Sequence, residues 1–98
     1  MKKKFDISVY SNSQNIHLNL RGKFDELSAC QLNSFIERLN GSADRIIIHT
    51  ESLDQVNPLG KTIFHRRMPI GVDHNLVFTG KHASEFKSGM RNRKPVVG

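Results

Sequence analysis

Apolar and polar residues alternate at positions 5–10, with Phe5, Ile7 and Val9 set against Asp6, Ser8 and Tyr10. The alternation resumes at positions 16–21, where Ile16, Leu18 and Leu20 are set against His17, Asn19 and Arg21. Successive side chains of a strand point to opposite faces, so the two runs and the polar stretch 11–15 between them predict a β-hairpin with one wet face. After Phe24 the period changes. Ala29, Leu32, Phe35, Ile36 and Leu39 recur three and four residues apart, which places them on one side of a helix over about residues 29–40. Ser28 with Gln31 three residues on reads as a capping box at its start, and Gly41 as the glycine that stops it.

Arg45-Ile46-Ile47-Ile48-His49-Thr50 is a β-branched run without alternation, the pattern of a central strand covered on both faces, and residues 75–79 have the same character. Between the two, Asn57 is placed to cap a helix, Pro58 suits its first position, and Pro69 ends it. Strand, helix and strand in succession predict a parallel, right-handed crossover. Ala83, Phe86 and Met90 mark a last amphipathic segment, before Gly89, Pro95 and Gly98 break the pattern. The expected architecture is an α/β sandwich: an N-terminal hairpin joined to a mixed four-stranded sheet, with about three helices packed on it. The 98 residues have room for one core, so residues 1–98 are read as one domain ending in a mobile basic tail, 91–98.

Composition narrows the chemistry. No apolar run approaches the roughly 18 residues of a membrane span, and the opening Met1-Lys2-Lys3-Lys4 is followed by alternation where an export signal needs a long apolar stretch. A cytoplasmic chain without membrane insertion is expected. Its one cysteine, Cys30, allows no internal disulfide. Cys30 would fall at the second position of the first helix, where the dipole favours a thiolate, but no histidine and acid arrangement can be tied to it. His17, His49, His65, His74 and His82 form no helical i, i+4 pair and no motif with cysteine, and Gly60-Lys61-Thr62 lacks the upstream glycine of a P-loop. No catalytic residue, cofactor or metal is therefore assigned.

Net charge is +6, and residues 50–98 carry eight Lys or Arg against four acids. Lys87, Arg91, Arg93 and Lys94 form an acid-free basic stretch suited to phosphates of nucleic acid or anionic lipid. No aromatic follows Phe86 to stack on a base, which weighs against specific nucleic-acid binding.

Three motifs in order resemble the STAS domain family of bacterial anti-sigma-factor antagonists, over about residues 16–80. Gly22-Lys23-Phe24-Asp25 is similar to the family's Gly-x-Leu-Asp after the second strand. Ile46-Ile47-Ile48-His49-Thr50-Glu51-Ser52-Leu53 resembles its apolar strand with a polar break and a leucine. Leu53-Asp54-Gln55-Val56-Asn57-Pro58-Leu59-Gly60 occupies the place of Leu-x-x-Ile-Asp-Ser-Ser-Gly, the loop and helix start that contact the partner and carry the phosphorylated serine in switchable members. The departures lie in that last motif. Pro58 stands at the acceptor position and has no hydroxyl, Leu59 follows it, and Asn57 and His49 stand where the family tends to have acids. With Lys61 added, the resemblance implies a more positive surface and a different, or constitutively bound, partner.

On the second helix, Gly60 is expected beside Leu59 and Phe64 on the buried side, with Ile63 also buried. Lys61, Thr62 and His65, with Arg66 at the edge, fall on the opposite face. The resemblance implies partner contacts at this helix's start and the adjoining loop: Asp25, Asn57, Pro58, Leu59, Gly60, Lys61, Thr62, His65 and Arg66. The expected function is that of a non-enzymatic interaction module, regulating or assembling with a protein such as a kinase-like anti-sigma factor or a transporter subunit. The alternative is a phosphate-directed binding protein, for nucleic acid or as an accessory subunit of a transporter at an anionic membrane, acting through Lys61, Arg66, Arg67 and the basic tail. Neither reading fixes an oligomeric state.

Overall fold

The computed structural model describes residues 5–12, 14–39, 43–68 and 75–87. The elements follow in the order β1 (Asp6–Ser11), β2 (Asn15–Phe24), α1 (Glu26–Leu39), β3 (Arg45–Val56), α2 (Pro58–Arg67), β4 (Leu76–Thr79) and α3 (Ala83–Lys87). The strands form one mixed sheet in the order β1-β2-β3-β4, with β1 antiparallel to β2 and the other neighbours parallel. Hairpin, mixed four-stranded sheet and three helices match the architecture expected from the periodicities. No described helix is long and apolar enough to cross a membrane.

One cluster holds the layers together. Ile16, Leu18, Leu20 and Phe24 of β2, Ile46, Ile48 and Leu53 of β3, and Leu76 and Phe78 of β4 meet Ala29, Leu32 and Ile36 of α1, Phe64 of α2 and Phe86 of α3. Phe24, Phe64 and Phe86 meet edge to face with ring centroids 5.0–6.3 Å apart, the arrangement in which the positive edge of one ring faces the negative face of the next. Each such ring, fully removed from water, contributes about 1.5–3 kcal/mol.

The sheet is covered on one face only, which corrects the expectation of strands buried on both sides. All three helices join this single cluster, leaving Ile47 and His49 half-buried and Val77 exposed on the opposite face. The run 46–48 hides the alternation because Ile47, an outward residue, is as apolar as its inward neighbours.

Helix α1 begins three residues earlier than expected. Asp25, not Ser28, is the cap: its Oδ1 accepts from the Ser28 N–H at 3.1 Å. Ser28 lies inside the first turn and is 1% exposed, its hydroxyl within reach of the Lys23 carbonyl at 2.9 Å and Asp25 Oδ1 at 3.0 Å, donating its one proton to either. Cys30 thus falls a full turn into the helix, on its exposed side, beyond the first-turn position that would favour a thiolate. Gly41, Pro69, Gly89, Met90, His74 and the tail 91–98 lie outside the described residues.

Strand β3 also runs on past the polar break, to Val56. Its register on β2 shifts twice, between Asn19 and Arg21 and between Gly22 and Lys23, so β3 spends eight residues (His49 to Val56) where β2 spends six (Asn19 to Phe24). Thr50, Leu53 and Val56 turn inward three residues apart, and Glu51-Ser52 and Asp54-Gln55 turn outward in pairs. Gly22, at φ 92°, occupies the left-handed region beside the second shift, a conformation that costs a side chain dearly and glycine little.

Candidate functional site

The start of α2 is set by its own residues. Asn57 is extended (φ −82°, ψ 132°), its Oδ1 accepts from the Leu59 N–H at 2.8 Å, and its carbonyl accepts from the Lys61 N–H at 3.1 Å. Pro58 fills the first helical position, where no N–H bond is lost. The Asn57 N–H reaches back to the Phe24 carbonyl at 2.8 Å, so α2 departs from beside the end of β2, one residue before the Asp25 cap of α1.

Gly60 closes this junction. A Cβ at position 60 would stand 2.7 Å from the Asp25 carbonyl carbon and oxygen and 2.8 Å from its Cα, closer than any side chain tolerates. The two helix starts therefore meet, with the Asp25 cap of α1 against Gly60 in the first turn of α2. Packing is the reason for Gly60, as its place on the buried side implied.

Leu59 departs from expectation: it is 57% exposed and stands outward beside Pro58. Leu27, which the sequence analysis did not single out, is 75% exposed on the neighbouring helix start. The signal for it was available, since it falls off the stripe of Ala29, Leu32 and Ile36, but it surfaces only once the helix start is placed at Glu26. Two leucines left in water on adjoining helix starts are an apolar contact surface, flanked by the half-buried Lys61 and the exposed Thr62 and Glu26.

The remaining residues divide. Asp25 carries a structural duty: the Ser28 N–H bond pulls its carboxyl below the usual value, against a small penalty from burial, helped by the Ser28 hydroxyl, the Lys23 charge and the Leu27 N–H. His65 is not on a free face, because its Nε2 lies 2.7 Å from the Phe86 carbonyl and donates to it, tying α2 to the end of α3. Arg66 is exposed, and Ile63 is half-buried where full burial was expected. Phe64, at 0% exposure, is the anchor of this helix.

On the opposite face of the sheet, the structure brings together two histidines that sequence spacing kept apart. His17 Nδ1 and His49 Nε2 are 2.9 Å from each other. Each is the polar member of an alternating strand, and only the β2–β3 register makes them neighbours. Among the described residues no three histidine, cysteine or acidic side chains are grouped to hold a metal ion.

No protein-family model matches the chain. No curated protein sequence matches it. Among solved structures, the unphosphorylated form of the anti-sigma factor antagonist SpoIIAA is similar over 87% of this chain and 80% of its own length, at 17% identity and a TM-score of 0.60. A crystal structure titled for Mglu is similar over 76% of this chain at 12% identity and a TM-score of 0.62, and the chain spans 19% of that protein's length. At these identities the likeness is one of fold: the mixed four-stranded sheet with three helices is the STAS-like fold of SpoIIAA.

Proposed function

We propose that this chain is a non-enzymatic, STAS-like interaction module that regulates or assembles with a protein partner through the joined N-termini of α1 and α2. The observation that carries this reading is the close seating of Gly60 on Asp25, which makes one surface of two helix starts and leaves Leu27 and Leu59 exposed on it. The protein of like fold, SpoIIAA, is an anti-sigma factor antagonist whose structure was solved in its unphosphorylated form. In the present chain the equivalent surface has Pro58 in place of an acceptor serine, so binding here is constitutive and not switched at that residue.

The partner is one that offers apolar pockets to the two leucines and a carboxylate to Lys61. Burying an exposed leucine contributes about 1.5–3 kcal/mol, so the pair supplies at most about 3–6 kcal/mol towards the roughly 8 kcal/mol of a micromolar interface, before the cost of association. Mechanism is surface complementarity, with no bond made or broken.

The test compares the tagged chain with its Leu59→Asp and Lys61→Glu variants, using the protein that copurifies with it at moderate salt. Both positions are at the surface, so both variants keep the fold, and each weakens a stoichiometric complex at least tenfold. A complex indifferent to both changes but dissolved by salt would overturn this reading in favour of phosphate-directed binding through the basic residues.

A further inference from the structure

The face of the sheet turned away from the helices carries an open depression of about 640 Å³, lined by Ser8 and Tyr10 of β1, His17 and Asn19 of β2, and His49, Glu51 and Ser52 of β3. The first register shift of β3 makes it, by turning Glu51 and Ser52 outward in succession beside Asn19. Tyr10 forms the opposite wall, 63% exposed, its ring tilted 47° to His17 with centroids 5.3 Å apart.

Its charge follows from the histidines. The His17 and His49 rings lie within 10° of parallel with centroids 5.1 Å apart, the separation of two rings joined end to end in nearly one plane by their 2.9 Å contact. His49 Nδ1 continues the chain to Thr79 Oγ1 at 3.0 Å. One proton lies between the rings, and two imidazolium rings would oppose donor to donor, so the pair does not carry two charges. His17 Nε2 is shut off from solvent and has no hydrogen-bond partner among the described residues. Burial, and then the neighbouring His17, push His49 below the ordinary histidine range, and Glu51 only partly offsets this.

Glu51 is the one acidic side chain among the residues that line the depression. It is exposed and has no ion-pair partner among the described residues. The other charges of this face are placed by register. Arg21 adjoins Ser52 and is set opposite Asp6 of β1, Lys23 lies opposite Gln55, Asp54 precedes Gln55 on β3 beyond the depression, and Arg45 lies at the far end opposite Asn15. β4 contributes Val77 and Thr79 to this face, neither of them charged, and the helices pack on the other side. On a chain of net charge +6, a carboxylate facing an exposed tyrosine across the depression, with the polar groups of Ser8, Asn19 and Ser52 between, is locally suited to a cation.

We propose that this depression binds an organic ammonium group, on a small amine or a lysine side chain, with the ammonium on Glu51 and its alkyl stem against Tyr10. Anions are rejected by Glu51, and a charge gained by His49 in acid weakens the hold on the cation. This site is independent of the helix-start surface, which lies on the opposite side of the sheet.

Nitrogen-15-labelled full-length chain is titrated at constant ionic strength with cadaverine, with acetyl-Gly-Lys-Gly-amide, and with acetate and phosphate as anion controls. Saturable shifts centred on Tyr10, Asn19, Glu51 and Ser52 are expected with cadaverine, the peptide or both, and which of them saturates identifies the amine's source. Glu51→Gln and Tyr10→Ala, both at exposed positions, each weaken binding roughly threefold or more while the signals of the helix side of the sheet stay put. Affinity falls as pH is lowered below about 6.5, where His49 begins to take up a proton. Absence of a saturable shift with either amine, affinity unchanged in Glu51→Gln, or preferential binding of acetate or phosphate at these residues would overturn the proposal.

Discussion

Gly60→Ala pits two effects of opposite sign against each other. In an exposed helix the change is favourable by about 0.8–1 kcal/mol, because alanine loses less backbone freedom than glycine on folding. At position 60 the new methyl would stand 2.7–2.8 Å from the carbonyl carbon, carbonyl oxygen and Cα of Asp25. These are backbone atoms of a helix cap, held by the Ala29 N–H on the Asp25 carbonyl at 3.0 Å and by the Ser28 N–H on its carboxylate, so they cannot step aside as a flexible side chain could. Forcing a methylene-sized group into a packed contact costs about 1–3 kcal/mol. The overpacking outweighs the gain, and a net loss of up to about 2 kcal/mol is expected, read as a urea midpoint lowered by up to roughly 1 M at a slope of about 2 kcal/mol per M. Thr62→Ala, exposed in the same helix, is the control and gains a few tenths of a kcal/mol from propensity alone. If Gly60→Ala raises the midpoint as the control does, the close approach of α2 to Asp25 is absent and the joined helix starts lose their physical basis.

Other outcomes follow from single contacts. Thr50, at 0% exposure, donates to the Thr79 carbonyl at 2.8 Å and accepts from the His82 N–H at 3.1 Å, so Thr50→Val keeps the shape but strands two backbone groups and costs about 1–3 kcal/mol in thermal unfolding. His49 is held below its ordinary value near 6.5, so the unfolded chain binds more protons than the folded one just below that pH. Its contribution is complete above about pH 6.5 and is lost as the solution is acidified towards its folded value, and urea midpoints against pH should show a slope there that His49→Gln flattens. Asp25, lowered likewise, adds a loss at more acid pH, as the solution falls below 3.8 through its folded value. Pro58→Ser costs about 1 kcal/mol or less and leaves the fold intact. Intact-mass measurement on the native protein should find no phosphate on α2, and a stoichiometric phosphate on Thr62 would refute the lost switch.

The fold was largely legible because three periods survive in the sequence: alternation in β1 and β2, the 3-4 stripe of α1, and the Asn-Pro entry to α2. What escaped reading had physical causes. An outward isoleucine at position 47 imitates a strand buried on both faces. Asp25 and Ser28 are both good caps, and the choice falls on Asp25 because Ser28 finds a buried place against the Lys23 carbonyl. The candidate site was readable at Asn57, Pro58 and Gly60, whose roles are local. It was not readable at Leu27, whose exposure depends on where the helix starts, or at His65, whose partner carbonyl lies 21 residues away.

Both surfaces of this protein depend on the same two irregularities in β3. Without them, a strict alternation from Ile46 would send Leu53 outward and Ser52 into the core, leaving an apolar residue in water and an unsatisfied hydroxyl inside. Of the two extra residues, the first turns Leu53 back in, at 1% exposure, and sets Glu51 and Ser52 side by side on the open face, and the second turns Val56 towards the core. They also decide where β3 ends, because Val56 comes to lie opposite Phe24 only after both shifts, and the Asn57 N–H then meets the Phe24 carbonyl. Removing one residue from the stretch 51–55 would carry α2 forward by about 3.3 Å against Asp25, and Gly60 would no longer be the residue at the point of closest approach. The depression walled by Tyr10 and the surface bearing Leu27 and Leu59 are thus two consequences of one local feature of the backbone, on opposite sides of the sheet.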